Sequence, residues 1–250
     1  MSPYQSQASN LSKKRGDMDS TKKKARVAGF IYLSLVVTAP FSLIYVPRTL
    51  IVRGDATATA NNIRASEMLF RASIAAELLS AVTFIFVVTA LYRLLSGVNK
   101  THASLMAILG LVSVPIGFVN VLSNIAALTL FRGGDFLGVF DKRQLDALAM
   151  LFLRLHGQGN VVNEIFWGLW LFPFGVLVFR SGFLPRIQGV WLILNCFAYL
   201  ALSFTGLLLP QYQVMVSRIA FPVLFGEMAI MLWLVIMGAK EQDQSLVASG

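Results

Sequence analysis

Arg53–Leu95 reads RGDATATANNIRASEMLFRASIAAELLSAVTFIFVVTALYRLL, a polar ramp that runs without interruption into a greasy stretch. From Ala72 to Leu95 the apolar residues neither alternate like a strand nor make room for turn residues. That run has the roughly 20 residues a helix needs to cross a bilayer. Five others match it: Val27–Val46, Ala103–Phe131, Asn160–Phe179, Ile187–Leu209 and Val214–Met237. A backbone in lipid must satisfy its polar groups internally, and a barrel would show alternating segments of about ten residues. The reading is therefore an all-α membrane protein, a six-helix transmembrane bundle. Composition agrees: 56% of the residues are hydrophobic and 13% charged, against roughly 25% charged in soluble domains.

The net charge of +9 does not point to nucleic acid, because much of the excess falls in KKRGDMDSTKKKAR, just ahead of the first span. Basic residues beside a span mark the cytoplasmic side and attract anionic headgroups. Lys22, Lys23, Lys24 and Arg26 are the candidate contacts. Residues 1–26 read as a disordered basic cytoplasmic tail, 27–238 as the transmembrane domain and 239–250 as a short polar tail. Val27–Val46 is too long for the apolar region of a cleaved signal, and no A-x-A site follows it. With six spans both termini are cytoplasmic. The long connections, Pro47 to about Arg71 and Arg132 to about Gly159, then lie outside.

Each long connection is expected to carry an interfacial helix. Asp55 is a candidate N-cap, and Asp141 with Gln144 forms the pattern of a capping box. Arg64, Glu67 and Arg71, three and four residues apart, suggest a charge ladder on one helix face.

Ionisable and amide side chains within spans are costly and face a bundle interior or a wet cavity. Glu77 has no partner along its own helix, so another helix or water must supply one. On the third span Ser113, Gly117, Asn120 and Asn124 recur at helical spacing. On the fourth, His156, Asn160, Asn163, Glu164 and Trp167 are expected to share a face. The fifth span offers Asn195, Tyr199 and Ser203; the sixth offers Arg218 and, near its middle, Glu227. Interhelical packing alone accounts for Ser113, Asn195, Tyr199 and Ser203. Glu77, Asn120, Asn124, His156, Asn163 and Glu164 all fall in the external half of their spans, which suggests a shared outward-facing polar pocket. Glu227 should face the bundle and either stay protonated, as burial favours, or meet a polar partner on another helix. Two carboxylates in one pocket repel when both are ionised, so at least one should hold its proton more tightly unless His156, Arg71 or Arg218 approaches.

Chemistry is less legible. His102 and His156 are expected on opposite membrane sides, which argues against a multi-histidine zinc site or a haem with two axial histidines. H-E-x-x-H, G-x-S-x-G and a phosphate-binding glycine loop are absent. The single cysteine, Cys196, cannot form an internal disulfide and reads as a small buried residue. No catalytic residue, metal or cofactor is assigned. A ligand-binding, sensory or accessory membrane protein fits best. The alternatives are a small-solute or proton-coupled transporter, though no inverted repeat is visible, and a lipid-modifying enzyme using His156 with Glu164. Small residues at helix contacts permit tight packing or oligomerisation.

RVAGFIYL (Arg26–Leu33), GDATATANNI (Gly54–Ile63), MLFR (Met68–Arg71), ALYRLL (Ala90–Leu95), LFLRLHGQG (Leu151–Gly159), FWGLWL (Phe166–Leu171) and SGFLPRIQGV (Ser181–Val190) occur in that order. Together they resemble the bacterial membrane-protein family catalogued as domain of unknown function 4386. The resemblance implies a multi-pass protein of the bacterial cytoplasmic (inner) membrane and brings no substrate, cofactor or catalytic residue.

Overall fold

The chain answers the demands of lipid with helix. The structure, a computed structural model, describes residues 3–239, with side chains from Asp19 onward. The expected polar tail at 239–250 therefore lies outside the described residues except for Ala239. Among the described residues there is no strand. The elements are α1 (Pro3–Pro40), a π-helical turn (Phe41–Tyr45), α2 (Val46–Leu50), α3 (Ala56–Ala65), α4 (Glu67–Leu95), α5 (Lys100–Arg132), α6 (Lys142–Leu169), α7 (Leu171–Arg180), α8 (Arg186–Leu208) and α9 (Gln213–Ile236). Six segments are long and apolar enough to cross a membrane: Asp19–Leu50, Glu67–Leu95, Lys100–Arg132, Lys142–Arg180, Arg186–Leu208 and Pro210–Ile236. This is a multi-pass membrane protein.

The spans pack in chain order, each against the next, and α9 returns to α1 to close a ring. Closure depends on a small residue. A Cβ on Gly29 of α1 would lie 2.7 Å from the Val235 nitrogen and 2.8 Å from the Leu234 Cβ, so any larger side chain would push α1 and α9 apart.

Local rules explain most boundaries. Asp55 caps α3 by accepting the Ala58 N–H at 2.8 Å. Asp141 and Gln144 form both bonds of a capping box, each 2.9 Å. The fourth span divides at Trp170 because Pro173 has no N–H for the Leu169 carbonyl, and its ring crowds that oxygen. Pro40 and Pro47 likewise bracket the π turn.

Three expectations need correction. The basic segment belongs to a helix, since α1 begins at Pro3 and is continuous with the first span. Ala25, within the part expected to be disordered, is fully buried. Lysine and arginine are good helix formers, and an adjoining span removes the nucleation cost. The interfacial helix expected after Arg132 is not separate either, because α6 carries it straight into the membrane. Finally, the charge ladder splits at Ser66, where the helix breaks. Arg71 keeps Glu67 at 2.7 Å, but Arg64 turns away to the buried Asp146 and to the Phe131 carbonyl.

Candidate functional site

Two apolar cores hold the ring. One gathers Tyr32, Leu91, Met106, Trp170, Phe174, Leu192 and Leu234. The other gathers Leu50, Ile63, Phe70, Val121, Phe131 and Leu153, near the long connections. Glu77 lies ten residues into α4, about 15 Å along the helix at about 1.5 Å per residue. Its Oε1 and Oε2 stand 2.9 and 3.1 Å from His156 Nε2 of α6. Asn124 of α5 donates to Oε2 at 3.4 Å. One carboxylate thus joins three consecutive spans.

The backbone of α6 is part of the same arrangement. Asn120 donates to the His156 carbonyl and to Asn160 Oδ1, each at 2.9 Å. Gly159 makes room for it, since a Cβ there would fall 2.0 Å from Asn120 Oδ1. Farther along, Asn163 donates to the Ser113 carbonyl at 3.1 Å. These contacts satisfy amide N–H groups that lipid could not, while Asn163 Oδ1 is buried without a hydrogen bond.

A second carboxylate joins the other three spans. Tyr32 of α1 donates to Glu227 Oε1 at 2.5 Å, and Tyr199 of α8 donates to Oε2 at 3.0 Å. Tyr32 was not among the residues that the sequence singled out. A tyrosine in an apolar run carries no local mark of its partner, and its role arises only where α1 meets α9. Among the described residues the acids in ion pairs are Asp146, Glu67 and Glu77, and none of these pairs involves Glu227.

Between the carboxylates lies a chamber of about 350 Å³ to which all six spans contribute lining residues. Glu77, Asn160 and Asn163 reach it from one side, and Tyr32, Tyr199 and Glu227 from the other. Leu35, Phe84, Trp167, Trp170, Met228 and Met231 supply apolar wall. Pro40 and Ser42, at the π turn, also line it.

The remaining sequence candidates sit differently. Asn120, Asn124 and His156 are buried and hold the site together without lining the chamber. His156 lies within a continuous helix, not at a loop junction. Glu164 does not line the chamber or pair with His156. Its Oε2 is buried without a hydrogen bond, on the side of α6 nearest Tyr199. The reason is angular: seven residues from His156, Asn163 returns to within about 20° of it, whereas Glu164 falls about 80° away. Arg218 is exposed and Arg71 is bound to Glu67, leaving His156 as the side chain that meets Glu77. Among the described residues no three His, Cys, Asp or Glu side chains gather as a metal site would require. Cys196 is buried.

No solved structure matches the chain. An uncharacterised protein of Archaeoglobus fulgidus is 30% identical over 171 residues, covering 67% of this chain and 85% of that one. The profile of the family described as "Domain of unknown function (DUF4386)" matches residues 27–238, which runs from the first span to just past the sixth. The chain belongs to that family.

Proposed function

We propose that this is a membrane-embedded binding protein, of a sensory or accessory kind, whose chamber takes a small, largely apolar molecule with a polar head. The chamber carries this reading: about 350 Å³, lined from every span, mostly apolar, with two carboxylates in its wall. Small-molecule sites have this size and this ratio of apolar wall to a few fixed polar groups. Lipid or metabolite mass spectrometry on the purified protein tests it. One class of small molecule should be recovered near one per protein, and Val114→Trp, which fills the chamber, should lower the yield. A mixed set of bulk lipids, unchanged by the substitution, would contradict the reading.

In the proposed orientation the basic segment faces the cytoplasm of a bacterial cell, with Lys22, Lys23, Lys24 and Arg26 exposed to anionic headgroups. The Glu77 end of the chamber then faces outward. Cysteines placed at Asn61 and Asp135 in a Cys196→Ala background should react with an impermeant external reagent, and those at Gly97 and Arg180 should not. The opposite pattern would invert the orientation.

A transport role is a second reading, favoured by one observation. Two of the lining segments carry helix interruptions, the π turn after Pro40 and the break at Trp170. Such interruptions in membrane helices often mark functional hinges. Uptake or efflux by reconstituted vesicles, absent from Val114→Trp vesicles, would distinguish transport from binding alone.

A further inference from the structure

The charges on the chamber wall are one-sided. Glu77 and Glu227 line it, and among the described residues no lysine, arginine or histidine does. His156 stands behind Glu77 at 2.9 Å and can carry an offsetting charge. Among the described residues the hydrogen bonds to Glu227 come from two phenol hydroxyls. Hydroxyl donors reduce the cost of a buried carboxylate but bring no positive charge to balance it.

Aromatic rings cluster around the two donors of that carboxylate. Tyr32, one of its donors, meets Trp170 edge-on with ring centroids 6.0 Å apart, and Phe84 meets Trp170 at 5.1 Å. Tyr199, the other donor, meets Trp167 at 6.4 Å. All five rings line the chamber. Ring faces attract cations, most strongly where water is excluded. A wall with an uncompensated acid and several such rings is complementary to a positive charge carried on an apolar body.

We propose that the chamber selects a lipophilic organic cation, an ammonium-type head on an apolar body, with Glu227 as its counter-charge and Tyr32 and Tyr199 positioning that carboxylate. This rests on the reading of the chamber as a binding site and gives the class of molecule it takes. Apolar walls alone would accept neutral and cationic molecules alike, and an anion would be repelled from both carboxylates.

The test compares benzyltrimethylammonium with neopentylbenzene, its uncharged isostere with carbon in place of the ammonium nitrogen. Binding to the full-length protein in lipid nanodiscs is followed by the rise in unfolding temperature, with protein-free discs correcting for partition. The cation should bind about ten-fold more tightly, the scale of a desolvated cation–π contact. Glu227→Gln should abolish that preference, so that cation and isostere bind alike. If the isostere binds wild-type protein as well as the cation does, the cation assignment is overturned and the binding reading stands. If neither binds, the cation assignment falls as well, and the recovery of one co-purified small molecule still decides the binding reading.

Discussion

Glu77 and Glu227 line one chamber but are held by opposite strategies. Glu77 on α4 meets an imidazole on α6 and an amide on α5. Glu227 on α9 meets phenols on α1 and α8. Each carboxylate therefore stitches one trio of helices, and the closed ring is two such trios. The Ser80 hydroxyl, donating to Thr38 at 2.7 Å, ties the trios together where α4 meets α1. The difference in partners has consequences. A histidine can carry the charge that offsets its acid, so the first trio is self-sufficient. Phenols cannot, which is why the proposed cation is placed beside the second trio.

The strongest challenge to this division is His156→Ala. It leaves Glu77 within the bundle with only a long amide contact, and should cost about 2 kcal/mol, typical of an unmet buried acceptor. Denaturant unfolding in micelles would measure it, and adding Glu77→Gln should restore part of the loss. An unchanged midpoint would mean that the first trio is not held by this pair.

Gly159→Ala comes next. The new methyl would collide with Asn120, which must abandon both of its bonds to α6. Overpacking of this kind costs about 1.5 kcal/mol. Asn120→Ala in the same background should relieve most of the clash, giving a clear non-additive cycle.

The second trio should respond more weakly. Tyr199→Phe removes one hydroxyl donor, and interhelical hydrogen bonds in membranes average about 0.6 kcal/mol. Glu227→Gln should cost no more, because an amide oxygen can still accept from one tyrosine. A loss comparable to that of His156→Ala would show that the two carboxylates are held alike. The smallest effect belongs to Arg71→Ala. Its pair with Glu67 is partly exposed on both sides and should contribute about 0.3 kcal/mol, lost in high salt.

What the sequence determined by itself is what short-range chemistry dictates. Six apolar runs too long for a soluble core had to become spanning helices, because no other backbone arrangement survives in lipid. Asp55, Asp141 and Gln144 announced their caps because each bond joins residues three apart. That Glu77 needed a partner from elsewhere was legible too, from the neighbours it lacked. The identity of the partners was not. His156 reaches Glu77, while Glu164 turns towards α8, because α6 is one unbroken helix wedged between α5 and α8. Arg64 left its expected ladder because a break at Ser66 aimed it at Asp146. Tyr32 acquired a role only because Gly29 lets α9 close the ring against α1. Tyr32 and Glu227 are 195 positions apart, and only tertiary packing brings such positions within reach of a hydrogen bond.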